Sequence, residues 1–336
     1  MADSYFSLKV QDQKEILQTA ADKLGRQAAV LEKDIWVCWV LRTIFSMPNA
    51  HPMAFKGGTS LSKVYDIIDR FSEDVDISLD YRHFDDDFDP FSPGANNSQI
   101  RKFSDRLKSY VKSYAEDVVK PRIETAATEL KTHSAHAIRI DDNGEKIWFS
   151  FPSVVEDQDD YLKSEVLIEL GGRNVIDPNE RHAIRPYVAS LTEGVDFPEA
   201  NVTVLSPSRT FWEKATLIHV ECNRGRLKES PDRLSRHWYD ITRLAKNSSV
   251  KSAINDRNLL EDVIRLKKVF YNAGYARYDE CLSGHLRLLP EEDSMPGLKA
   301  DYDKMVAAGM MYETAPSFDE IVEQIRHVEI EINDWP

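Results

Sequence analysis

The chain has 336 residues, 42% hydrophobic and 30% charged, which suits one large domain or two modest ones and excludes wholesale disorder. A formal net charge of −14 excludes a protein that coats nucleic acid indiscriminately, though it leaves room for a local basic groove. Cys38, Cys222 and Cys281 are too far apart and too few to suggest a disulfide framework or a thiolate zinc site, and with no long apolar run and no signal-like start the expected location is the cytoplasm, without a membrane partner.

In chain order, helical spacing of apolar residues predicts helices over 9–24 and 29–47. "HPMAFKGG" reads as a short strand entering a glycine turn, with Thr59 or Ser60 capping a helix through "SLSKVYDIID". "DVDISLD" alternates as a strand does, and 82–99, rich in Asp, Pro, Gly and Asn, reads as a loop before a helix ending near 119. "AHAIRI" and "KIWFSFPSV" form a predicted hairpin about Asn143-Gly144, followed by strands at 164–170 and in "NVTVLSP". Helices are expected at 208–222, 233–246, 256–273 and 316–331. The fold class is therefore α+β with a mixed sheet: an α/β lobe over 1–205 and a C-terminal helical lobe over 206–336.

A strand turning through Gly57-Gly58 into a helix brings backbone N–H groups to one point where phosphate binds free of Cβ hindrance. Thr59 and Ser60 add hydroxyls and Lys63 a cation, which completes the expected phosphate set. The P-loop pattern fails here, because Lys63 stands between Ser62 and Val64 without the required glycine. Asp74 and Asp76 are two apart on the next strand, so they share one face, where a divalent cation would offset their repulsion. Glu169, charged in the apolar strand "VLIELGG", is the expected third acid, with Glu165 as the alternative. These residues predict a nucleoside triphosphate held at the turn with Mg²⁺, or Mn²⁺, on Asp74, Asp76 and Glu169.

Glycine turn, short helix and strand-borne D-x-D together resemble the DNA polymerase β-like nucleotidyltransferases. The fuller string "FKGGTSLSK…RFSEDVDISL", with "LEKDIWVCWVL", "PSRTFWEKATLIH" and "RHWYDITRL", is similar to the AbiEii/AbiGii toxin nucleotidyltransferases, the group that includes MenT-like toxins. The resemblance spans most of the chain and weakens over 82–135. It implies a polymerase β-like core with the helical lobe closing the active-site cleft. Lys214 of the E-K pair is then a catalytic residue that binds the triphosphate, and Asp240 is a catalytic-site acid that orients Lys214, contacts the nucleotide or supports the fold. It further implies transfer of a nucleoside monophosphate to an acceptor hydroxyl such as the tRNA 3′ end, in a type IV-like toxin–antitoxin or phage-defence system with a cognate antitoxin. A protein hydroxyl as acceptor, and a catalytically silent nucleotide- or partner-binding module, are the alternatives.

Other features keep two readings. Residues 206–246 hold nine Lys or Arg against five acids, which fits an anion-binding face or a solvated helical surface. Arg173 fits a phosphate or RNA contact or a salt bridge, and the 85–89 acidic run fits a solvated loop or a second metal site. Arg236 and His237 read as surface or interdomain contacts, and Trp36, Trp39, Trp148, Trp212 and Trp238 as core.

Overall fold

The computed structural model describes residues 3–84, 87–130, 132, 135–155, 163–225, 227 and 233–334. Two compact units emerge: Met1–Val64 with Phe71–Asp87 and Phe103–Leu205, and Tyr65–Arg70 with Phe88–Lys102 and Ser206–Pro336.

The first unit begins with β1 (Asp3–Ser4), α1 (Val10–Leu24) and α2 (Ala28–Phe45). Helix α2 is buried nearly all round, which its sequence allows by being apolar on every face apart from Arg42 and Thr43 in the last turn and three consecutive charges, Glu32, Lys33 and Asp34. Each of those charges ties down a different segment. Glu32 accepts from Ser153 Oγ at 2.6 Å and from the Val154 N–H at 2.6 Å. Lys33 Nζ donates to Glu73 Oε2 at 2.7 Å and to the Lys163 carbonyl at 3.2 Å. Asp34 accepts from Lys63 Nζ at 2.5 Å and from the Tyr187 N–H at 2.7 Å. Buried charges persist only when paired in this way.

The strands are β2 (Met53–Lys56), β3 (Val75–Asp80), β4 (Ala137–Ile140), β5 (Lys146–Ser150), β6 (Glu165–Asn174), β7 (Asn179–Ile184), β8 (Val195–Asp196) and β9 (Ala200–Leu205), with helices α3 (Gly57–Lys63), α4 (Asn97–Tyr114) and α5 (Lys120–Thr128) between them. Seven form one sheet in the order β4-β5-β6-β3-β2-β9-β7, and β1 pairs with β8. The sheet is mixed: β3/β6 and β2/β9 are parallel, and the remaining pairs are antiparallel. Trp36 stacks on Phe151 with centroids 5.2 Å apart, and Trp39 on Phe149 at 5.0 Å, which locks α2 onto this core. Trp148 departs from the core expectation: it is half-buried, with the Arg139 guanidinium 3.7 Å from its ring centroid.

The second unit contains α6 (Pro207–Asn223), α7 (Arg236–Leu244), α8 (Ser248–Ile254), α9 (Arg257–Phe270), α10 (Met295–Ala307) and α11 (Phe318–Asn333). Helix α6 starts where the sequence stops it fraying, with Ser206 Oγ accepting from the Arg209 N–H and Pro207 in the first turn. Ser317 and Glu320 form a reciprocal capping box on α11. Trp212 and Trp238 are buried because their indole N–H groups reach the Ala253 and Leu288 carbonyls, at 3.2 and 2.8 Å. No helix among the described residues is long and apolar enough to cross a membrane.

Six elements were not expected from the sequence: β1, α5, β7, β8, α8 and α10. The helix after the glycine turn also differs. It spans only Gly57–Lys63, starting two residues before the expected caps and stopping short of "VYDIID". The chain then takes a left-handed residue at Asp66, with φ 51°, which ends any helical run.

Candidate active site

In the first unit, strand registers build a row of four charges. Lys56 lies opposite Asp76, Asp76 opposite Glu169, and Glu169 opposite Lys146, across β2, β3, β6 and β5. Directly paired positions share a face, so the row reads Lys, Asp, Glu, Lys on one side of the sheet. Strand alternation leaves Val75 and Ile77, and Val166, Ile168 and Leu170, buried on the other side. Lys146 Nζ sits 3.0 Å from Glu169 Oε1.

Asp74 immediately precedes β3, and its charge reaches the row. Burial, then the charges of Glu169 and Asp74, push the Asp76 carboxyl up to about 7, against the opposing pull of Lys56. Among the described residues no group of three or more His, Cys, Asp or Glu is gathered closely enough to hold a metal ion. The structure thus brings Asp76 and Glu169 together as a pair, with Asp74 as a nearby charge. The chemistry of this donor set fits a divalent cation: oxygen ligands only, and mutual repulsion that a cation would relieve.

Gly57 lies against this row. Its φ is 80°, and a Cβ there would stand 1.8 Å from Asp76 Oδ2. Glycine at 57 is therefore dictated by the carboxylate packed on it as well as by the turn. Gly58 is buried in the first turn of α3.

The remaining expected phosphate ligands are engaged inside the fold. Thr59 Oγ1 donates to Ser72 Oγ at 3.0 Å, and Ser60 Oγ donates to the Gly57 carbonyl at 2.9 Å. Ser60 is fully buried. The Lys63 ammonium lies on Asp34, 4.0 Å from the Tyr187 ring centroid, with the side chain 2% exposed. Five consecutive residues of this seven-residue helix, Gly58 to Ser62, are buried, which leaves these side chains little freedom to turn elsewhere.

In the second unit, Asp240 of α7 is fully buried between two cations. Arg70 Nε donates to Oδ1 and a terminal guanidinium nitrogen donates to Oδ2, each at 2.8 Å, in a bidentate fork. Lys214 Nζ of α6 lies 3.0 Å from Oδ2 and 3.3 Å from His237 Nδ1. Burial alone would raise the Asp240 pKa, but Arg70 and Lys214 hold it well below the usual carboxylate range. Burial lowers the Lys214 pKa, with Asp240 acting in the opposite direction. This geometry fits two of the roles expected for Asp240, orienting Lys214 and supporting the fold through Arg70. Arg70 was not singled out from the sequence, although it opens the string "RFSEDVDISL"; an arginine just ahead of an acidic run was the available signal.

Other expected residues fall outside these clusters. Glu165 pairs with Arg139 at 3.6 Å, and Arg173 with Glu145 at 3.6 Å. Asp85 and Asp86 lie outside the described residues, as do Arg226, Lys228, Glu229 and Asp232 of the basic window. Within that window Arg209 pairs with Glu213 and Asp262, Arg224 with Glu221, and Arg243 with Asp69.

The family model described as nucleotidyl transferase AbiEii toxin, type IV TA system, matches residues 39–324. Among solved structures, MenT4, a nucleotidyltransferase toxin from Mycobacterium tuberculosis H37Rv, is similar at 15% identity over 94% of this chain and 97% of that chain, with a TM-score of 0.45. No curated protein matches the sequence.

Proposed function

The chain belongs to the AbiEii family of nucleotidyl transferase toxins, and from that premise we propose that it moves a nucleoside monophosphate from an NTP to the 3′ end of tRNA in the cytoplasm. The observation that carries this reading is the register pairing of Asp76 with Glu169, packed on Gly57. Asp76, Glu169 and Asp74 are the residues that would hold Mg²⁺ or Mn²⁺. Such an ion, when bound, supplies charge that neutralises the phosphate oxygens.

The chain's own groups carry the rest of the chemistry. The acceptor hydroxyl oxygen forms a bond to the α-phosphorus, the bond from that phosphorus to the bridging oxygen of the β-phosphate breaks, and pyrophosphate leaves. Glu169 takes the acceptor proton. The Gly57-Gly58 turn accommodates phosphate where side chains are absent, and Lys214 binds the triphosphate as a point charge. Asp240, through its ion pair, positions Lys214. Blocking the tRNA 3′ end would halt translation, which suits a toxin of a type IV-like toxin–antitoxin or phage-defence system held in check by a cognate antitoxin.

The test is to incubate the purified chain with Mg²⁺ and each α-labelled NTP in turn, with total tRNA or with cell protein extract, and with chelator as control. Label in tRNA that disappears with chelator is the expected result. Label in protein instead would move the reading to protein nucleotidylation. Nucleotide binding with no label in either acceptor would favour a silent binding module.

A further inference from the structure

Lys214 has an ammonium with three N–H donors and no acceptor. In the second unit two neighbours engage it from one helix: Asp240 Oδ2 at 3.0 Å and His237 Nδ1 at 3.3 Å. Positions 237 and 240 are three apart on α7 and so lie on the same side of it. The carboxylate that one of these donors meets is itself clamped by the Arg70 fork, so it cannot swing.

The His237 contact has a chemical requirement. A ring nitrogen accepts from an ammonium only when it carries no proton, which places the hydrogen of a neutral ring on Nε2. The surroundings enforce that state. Burial first, then the charges of Lys214, Arg236 and Arg70, push the His237 pKa well below its ordinary value, with Asp240 opposing. His237 is therefore an acceptor at neutral pH, and not a second cation beside Lys214.

We infer that His237 is a positioning residue: its Nδ1 lone pair, together with Asp240, fixes the rotation of the Lys214 ammonium so that the remaining N–H meets a phosphate oxygen of the nucleotide. This rests on the reading of Lys214 as a triphosphate ligand. A fixed ammonium presents its donor without losing rotational freedom on binding, so affinity is gained by pre-organisation. The alternative is that His237 simply fills space between α6 and α7, in which case its loss would affect nucleotide binding equally with or without Lys214.

A double-mutant cycle on the full chain separates these possibilities, read as equilibrium binding of labelled NTP in Mg²⁺. Lys214→Met is expected to weaken binding about tenfold or more, and His237→Leu about three- to tenfold, in the range for a typical single hydrogen bond. In the Lys214→Met background, His237→Leu should add nothing. His237→Asn, whose side-chain oxygen falls near the Nδ1 position, should bind nearly as wild type, whereas His237→Gln, which reaches the Nε2 position, should behave like His237→Leu. That Asn/Gln contrast remains decisive where the leucine variant fails to fold. Wild-type binding by Lys214→Met would remove the phosphate role of Lys214, and the inference with it. A weakened Lys214→Met combined with equal effects of His237→Leu in both backgrounds, or with no difference between Asn and Gln, would overturn the positioning role alone.

Discussion

Gly57 joins backbone geometry to site chemistry at a single residue. Its φ of 80° and the 1.8 Å approach of Asp76 Oδ2 to an added Cβ leave no place for a side chain. Gly57→Ala should cost about 1–3 kcal/mol from the backbone alone, and should displace the carboxylate, with loss of most transfer activity. Urea unfolding and label transfer on the same preparation check both effects; a variant like wild type in both would contradict the packing argument. The turn at Gly57 and the strands that carry Asp76 and Glu169 were legible because strand alternation and a glycine turn are local patterns. The engagement of Ser60 and Lys63 inside the fold was not, for the complementary reason. The partner of Lys63 is Asp34, 29 residues away, and no local pattern announces such a pairing.

At the scale of elements, α2 and α7 show how buried charge organises each unit. Lys33 and Glu73 are both buried, so Lys33→Met breaks a buried ion pair and should cost about 3–5 kcal/mol in urea unfolding; a loss below about 1 kcal/mol would mean the pair is solvated. On α7, Asp240→Asn should cost a similar amount at pH 7. Because the folded-state pKa of Asp240 is depressed, its contribution is present in full above the unfolded value of about 3.9 and is lost as pH falls toward the folded one. The stability gap between wild type and Asp240→Asn should thus be constant from pH 8 to about 5 and narrow only below about 4; narrowing near neutrality would contradict the Arg70 and Lys214 pairing. The strongly periodic helices and the hairpin about Asn143-Gly144 were legible in sequence. The edge strand β7 was not, because "NERHAI" buries only Ile184 and carries no apolar alternation. Helix α8 is only seven residues long, and α10 opens on Pro296 and Gly297, which read as a loop until Pro is recognised as a first-turn residue.

For the whole molecule, the net charge of −14 sets how nucleic acid is met. A chain of that charge has no general counterion-release drive, so the proposed recognition of an RNA end would depend on local contacts. Random-sequence duplex DNA should bind more weakly than about 100 µM at physiological salt, measured by fluorescence anisotropy; micromolar binding would show a basic surface that the composition hides. Cysteine spacing, overall charge and the α+β alternation were legible at this scale. The interleaving of the units was not, since Tyr65–Arg70 and Phe88–Lys102 count with Ser206–Pro336 through contacts distant in sequence.

The most direct measurement is transfer of α-labelled nucleotide to total tRNA by the wild type beside Asp76→Asn and Glu169→Gln, with all three shown to unfold at the same urea concentration. Label from the wild type and none from either variant is the expected result. Full transfer by Asp76→Asn would contradict the assignment of the β3/β6 carboxylate pair as the catalytic centre.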